Sequence, residues 1–176
     1  MGRFFFTKLL LTFTEIFIMN YRIGSGVDFH QLEAGREFWL GGVQMPHYKG
    51  ATGHSDADVL LHAICDALLG ALCLGDIGKH FPNTDAAYLN IDSKILLAKT
   101  YALISEKGYK VVNIDSTVCL EVPKIMGAVP AMQQAIADIL KISVNDVSIK
   151  ATTTEKLGFA GREEGLVAYA TVLLCN

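Results

Sequence analysis

The chain lacks any long cationic run. No stretch of Lys and Arg exceeds two residues, and 15 of them against 18 Asp and Glu leave a formal net charge of −3 over 176 residues. The long-range positive field that gathers a polyphosphate strand is therefore missing, which excludes nucleic acid as a partner. Cysteine is scarce and unpatterned: Cys65, Cys73, Cys119 and Cys175 show no C-x-x-C spacing, and three of them lie in apolar stretches where a thiol acts as a small hydrophobe. That describes a reducing compartment, and the expected location is cytoplasmic. Internal repeats, linkers and low-complexity tracts are also absent. With 51% hydrophobic residues, a chain of this length buries roughly 70% of its unfolded surface. One core then holds it without disulfides or a structural metal, so any metal is functional.

An unbroken apolar run is missing too, because the stretch from Phe4 to Ile18 is interrupted by Lys8 and Glu15. A membrane span needs about 20 nearly uncharged residues, and a secretory signal needs a continuous apolar stretch with a small-residue cleavage site. Neither pattern is met, so stable membrane insertion is not expected. Residues 1–18 are expected to be an over-extended start or disposable leader, poorly ordered or loosely helical, preceding a single domain over 19–176.

From Tyr21 to His30 the chain reads as a strand with glycines near its exit, and Glu37 to Val43 as a second, after a bend at Gly35. Leu60, Leu61, Ile64, Ala67, Leu68 and Leu72 follow the helical period between Ser55 and Leu72, with Ser55 and Asp58 spaced as a capping box. Gly75 to Asp85 has the composition of a functional surface loop. A helix over Ser93–Lys107, a strand over Tyr109–Glu121, a helix over Pro130–Leu140 and strands over Val147–Ala151 and Leu166–Leu174 complete the pattern. The order suggests an α+β sandwich, a sheet with helices on one face in the ferredoxin-like manner. The open face would need a cover, and self-association is the simplest.

Asp28 and His30, two residues apart on a strand, project from one face about 7 Å apart along the backbone. His62 on the following helix can supply a third ligand, and three protein ligands leave an open tetrahedral Zn²⁺ position that polarises a substrate oxygen. The same spacing also suits ordinary surface or core polar roles. Asp66, four residues after His62, is expected to orient the imidazole through its other nitrogen. His54-Ser55-Asp56 stands where a helix N-terminus favours an anion, while Asp56 and Asp58 themselves are helix-start residues. Thr152-Thr153-Thr154, flanked by Lys150 and Lys156, suits phosphate oxygens, with Glu155 sensible there if a second divalent ion bridges it to phosphate. A β-branched strand end followed by a solvated turn fits equally well.

Together these segments resemble the 2-C-methyl-D-erythritol 2,4-cyclodiphosphate synthases of the non-mevalonate route to isoprenoids. The likeness spans about Tyr21 to Leu174 and rests on Asp28-x-His30, on His54-Ser55-Asp56-Ala57-Asp58-Val59-Leu60-Leu61-His62, on Asp66-Ala67-Leu68-Leu69-Gly70, on Gly75-Asp76-Ile77-Gly78-Lys79-x-Phe81-Pro82, and on Ala151-Thr152-Thr153-Thr154-Glu155-Lys156-Leu157-Gly158-Phe159-x-Gly161-Arg162. Several long motifs in the right order are specific. The resemblance implies a homotrimer of ferredoxin-like subunits with active sites between chains. It implies Zn²⁺ on Asp28, His30 and His62, His54 and Thr153 as catalytic transition-state stabilisers, and Glu155 holding Mg²⁺ or Mn²⁺ against a substrate diphosphate. Substrate contacts would come from Ser55, from the methylerythritol loop Asp76-Ile77-Gly78 and Phe81-Pro82-Asn83-Thr84-Asp85, from the cytosine-holding segment Leu120-Glu121-Val122-Pro123-Lys124-Ile125-Met126, and from Thr152, Thr154, Phe159 and Arg162.

The implied reaction is an intramolecular phosphoryl transfer, a phosphorus–oxygen lyase activity on 4-diphosphocytidyl-2-C-methyl-D-erythritol 2-phosphate, releasing CMP. Two other readings predict different outcomes. A non-catalytic trimer that binds CDP or CMP should have a broken ligand set, and a zinc phosphohydrolase would give an open-chain product. Asn83 stands where the family more often has an acid, and Glu163 follows Arg162 where a small residue is frequent, which puts the trimer-axis arginine in question.

Overall fold

The computed structural model describes residues 19–176, and the expectations for residues 1–18 lie outside that span. Strand β1 (Tyr21–Ala34) runs past His30. The second expected strand divides into β2 (Phe38–Leu40) and β3 (Val43–Met45), a separate two-stranded ribbon. Gly41 and Gly42 between them have φ of 60° and 77°, the left-handed backbone of a tight hairpin that glycine adopts without steric cost. The remaining strands and α-helices are β4 (Lys49–Ala51), α1 (Val59–Ala71), α2 (Ile77–His80), α3 (Ser93–Glu106), β5 (Lys110–Cys119), α4 (Val129–Leu140), β6 (Val147–Thr152), α5 (Gly158–Gly161) and β7 (Gly165–Cys175). Sequence periodicity did not reveal β4, α2 and α5, which are too short to show a period.

The five-stranded sheet has the order β4-β1-β7-β5-β6, antiparallel except for β5 with β6. The α+β class and the one-sided helices agree with expectation. The connectivity departs from a strict ferredoxin-like β-α-β-β-α-β order: α4 connects the parallel pair β5 and β6, and the last strand, β7, enters between β1 and β5. A parallel pair needs a crossover, and α4 supplies it. Along β7, Leu166, Ala168, Ala170, Val172 and Leu174 are buried while Tyr169 and Thr171 are exposed. The alternation leaves the face opposite the helices open, and Val27, paired with Tyr169, and Phe29 are exposed on that side.

How closely the layers meet is decided by two small residues of β1. A Cβ added at Gly24 would lie 2.0 Å from the carbonyl oxygen of Ala67, and one at Gly26 would lie 2.0 Å from that of Ala63. Only glycine permits the backbone of α1 to rest directly on the strand. The helix is buried on nearly all sides, with the sheet beneath and α3 beside it. It starts at Val59 rather than at Ser55, so the expected capping box does not form. Asp58 is the cap instead: its carboxylate accepts from Leu61 N at 3.0 Å, Gly41 N at 2.9 Å and Gly42 N at 2.6 Å. That buried acid already occupies the positive end of the helix, which corrects the idea of an anion site there. Among the described residues, no helix is long and apolar enough to cross a membrane.

Replacing Gly26 with Ala should lower stability by about 2–3 kcal/mol or more, because the obstacle is helix backbone that cannot rotate away. Gly70→Ala, on α1 itself, where an added Cβ would lie 3.9 Å from the carbonyl oxygen of Ser25, should be neutral or stabilising; equal losses in urea unfolding would refute the close-approach explanation.

Candidate metal centre

Placing α1 against β1 brings His62 beside the strand pair. Nδ1 of His62 and Nδ1 of His30 each lie 3.0 Å from the same oxygen, Oδ2 of Asp28, and the two imidazole centroids are 5.2 Å apart. His30 Nδ1 is buried and has no hydrogen-bond partner despite that short contact. A nitrogen close to a carboxylate but misaligned for a proton between them fits ligand atoms converging on a third atom. Asp28, His30 and His62 each offer one donor within 4.8 Å of the others, and two imidazoles with one carboxylate suit a zinc-like cation. Burial opposes the charge of Asp28, yet the adjoining His30 and His62 imidazoles hold its carboxyl far below the ordinary range. Burial likewise disfavours the His62 imidazolium, but the hydrogen bond and charge of Asp28 prevail and raise it. The carboxylate thus draws cations to this point, protons or a metal alike.

These ligands line a cleft of about 450 Å³ together with His54, Ser55, Ile77, Gly78, Phe81, Pro82, Asn83 and Thr84. Asp76 and Asp85, also expected here, use their carboxylates within the loop: Asp76 caps α2 by accepting from Lys79 N, and Asp85 accepts from Ala87 N. Asp66 does not orient His62. Its Oδ1 accepts from Ile77 N at 2.8 Å, tying the start of α2 to α1, because a residue one turn further along the helix faces the loop rather than the ring's far nitrogen. That nitrogen, Nε2 of His62, meets Ser93 Oγ at 2.9 Å and Ser55 Oγ at 3.1 Å. Sequence reasoning missed Ser93, which is 31 residues away and carries no motif.

The other expected residues gather elsewhere. Leu120, Pro123, Lys124, Ile125, Met126, Thr152 and Thr153 line a second cleft of about 170 Å³ that shares no lining residue with the first. Beside it, Thr153 Oγ1 donates to Glu155 Oε1 at 2.6 Å. Glu155 and Lys156 both have left-handed backbones, φ 54° and 67°, a conformation that costs free energy in non-glycine residues and clusters at functional sites. Buried Glu121 holds it: Oε1 accepts from Thr154 N and Lys156 N, both at 3.1 Å, and Oε2 meets Lys156 Nζ at 3.1 Å. The Lys156 amide, followed by its ammonium, holds the Glu121 carboxyl below its usual value. Thr154 Oγ1 donates to Leu157 O, Phe159 lies 6.1 Å from Phe29, and Arg162 forms two 2.9 Å bonds with Glu164. Val122 lies in the segment between Glu121 and the second cleft.

The model of the YgbB family matches residues 21–175. The chain is 62% identical to a 2-C-methyl-D-erythritol 2,4-cyclodiphosphate synthase of Bacteroides thetaiotaomicron over 156 residues, 89% of this chain and 98% of that protein. A bifunctional protein of Campylobacter jejuni superposes with a TM-score of 0.86 at 41% identity, over 90% of this chain but only 43% of that longer one. A 2C-methyl-D-erythritol-2,4-cyclodiphosphate synthase in its CDP-bound form superposes at 0.81 with 34% identity, over 87% of this chain and 99% of that one.

Glu121→Ala should release the strained loop. Amide protection at Thr154 and Lys156 should fall about tenfold or more, while amides of α1 stay unchanged; uniform loss across the chain would mean global destabilisation instead. Because the folded Glu121 carboxyl titrates lower than in the unfolded chain, its contribution is full above the ordinary glutamate value of about 4.3 and fades as pH falls below it. The wild-type loop should therefore lose protection in acid, and the variant should not show that pH dependence.

Proposed function

The chain belongs to the YgbB family, and on that premise we propose that neighbouring copies join their two clefts to convert 4-diphosphocytidyl-2-C-methyl-D-erythritol 2-phosphate into 2-C-methyl-D-erythritol 2,4-cyclodiphosphate and CMP. The chain is thus a phosphorus–oxygen lyase of the non-mevalonate route to isoprenoids. The observation that carries this reading is the meeting of Asp28, His30 and His62 in a cleft within a sequence so similar to named synthases.

A 2-phosphate oxygen attacks the β-phosphorus, the bond to the CMP oxygen breaks, and an eight-membered cyclic diphosphate closes. Zn²⁺ held by Asp28, His30 and His62, with Mg²⁺ or Mn²⁺ held by Glu155, would supply positive charge that reduces repulsion between the two anionic groups. No protein nucleophile is required. The chain's own task is to fold the substrate so its ends meet, since a well-oriented intramolecular attack avoids much of the entropic barrier. Ser55 and the loop over Ile77-Gly78 and Phe81 to Thr84 enclose the methylerythritol, and backbone groups from Leu120 to Met126 receive the cytosine. His54 and Thr153 steady the transferring phosphoryl group, with Thr152 of the second cleft and Thr154, Phe159 and Arg162 beyond its lining contacting the substrate.

The homotrimer draws support from two features. The clefts have no residue in common, and Val27, Phe29 and Tyr169 expose an apolar strip on the open sheet face, where a second copy would remove it from water. One contiguous cluster of buried residues supports a single domain over 19–176, and four free thiols fit a cytoplasmic setting.

His62→Ala should abolish zinc retention and nearly all CMP release while leaving the circular dichroism spectrum unchanged; normal metal content by atomic absorption would overturn the ligand assignment. Glu155→Gln should raise the Mg²⁺ concentration needed for half-maximal turnover several-fold with zinc still bound, and an unchanged titration would remove Glu155 from the second metal. Open-chain product in place of the ring, by phosphorus NMR, would favour a phosphohydrolase.

A further inference from the structure

Behind the metal triad lies a second chain of polar groups that the reaction does not use. Ser93 is fully buried, and its Oγ sits 2.9 Å from His62 Nε2. The same hydroxyl donates to Asp56 Oδ1, while Asp56 Oδ2 accepts from Ser93 N at 3.0 Å. Proton bookkeeping gives this chain a direction. Asp56, as a carboxylate, can only accept, so Ser93 must donate its one hydroxyl proton to it. The lone pairs of Ser93 Oγ then face His62 Nε2, and two lone pairs at that distance would repel. Nε2 must therefore carry a proton and donate it, which leaves Nδ1, the nitrogen 3.0 Å from Asp28, as the atom that can ligate.

We propose that Ser93 and Asp56 are positioning residues that accept the Nε2 proton of His62 and so reserve Nδ1 for the metal. The inference rests on the metal reading of Asp28, His30 and His62. It resembles the outer hydrogen bonds that hold metal-bound histidines in other sites and raise their basicity. Ser55 Oγ, 3.1 Å from the same nitrogen, accepts from Ala57 N and is the weaker of the two neighbours.

The test compares zinc affinity by chelator competition in the parent, Ser93→Ala, Asp56→Asn and the double variant. Ser93→Ala should weaken zinc binding roughly 10–100-fold. Asp56→Asn, nearly the same shape, can donate its amide to Ser93 and turn the hydroxyl round, so it should weaken binding as well. Because Asp56 acts through Ser93, the double variant should be no worse than Ser93→Ala alone. NMR of the parent should show a slowly exchanging His62 Nε2 proton, in both metal-free and zinc-loaded protein, that is lost in Ser93→Ala. Affinities within about twofold of the parent in both single variants, or no protected Nε2 proton in either form, would overturn the proposal. Should Asp56→Asn fail to fold by its thermal melt, Ser93→Ala and the proton signal decide alone. A parent that binds no zinc would instead count against the metal reading, while the Nε2 proton in metal-free protein would still decide between the two hydrogen-bond directions.

Discussion

The contact on which everything else depends is backbone against backbone: the carbonyls of Ala63 and Ala67 rest where side chains at Gly26 and Gly24 would stand. Helix and strand meet this closely only if one surface lacks Cβ atoms, and the saved distance decides whether an imidazole on α1 reaches a carboxylate on β1. His62 precedes Ala63 and Asp28 follows Gly26 by two residues. The same close approach that fills the core with small residues therefore also brings ligands from two distant segments to 3.0 Å. Core packing and site geometry are here one constraint.

Four acids, two buried and two partly buried, each resolve the cost of leaving water differently. Asp58 is completely buried, which raises its titration, and three backbone donors offset the penalty. Asp56 is satisfied by the backbone and hydroxyl of Ser93. Glu121 accepts from the amides of a strained loop. Asp28 alone faces imidazoles that are themselves available to a cation. Buried carboxylates with fixed amide donors stabilise the fold, whereas one surrounded by exchangeable donors is left for chemistry.

The second cleft is organised independently. Glu121 links the segment it shares with Leu120 and Pro123 to the Thr154–Lys156 turn, so any movement of one is felt by the other. The two clefts share no lining residue, and the open sheet face carries the apolar strip through which copies are proposed to meet. On the proposed reading, an active site divided this way would assemble only when the polypeptide does, since the substrate would span both halves to bring its ends together.

The amino-acid order alone determined the α+β class, the long helix bearing His62, the strand pair Asp28 and His30, and, through motif likeness, the family. Those features follow from period, from residue type and from long stretches of matching order, all of which are local. Tertiary structure alone decided that α1 starts at Val59 with Asp58 as its cap, that Asp66 serves the loop rather than the imidazole, that β7 lies between β1 and β5, and that Ser93 stands behind His62. Each of these depends on which of several equivalent hydrogen-bond partners lies nearest in space. Spacing along the chain leaves that choice open, because Asp66 and Ser93 are both chemically able to meet the same nitrogen and only packing brings one of them there.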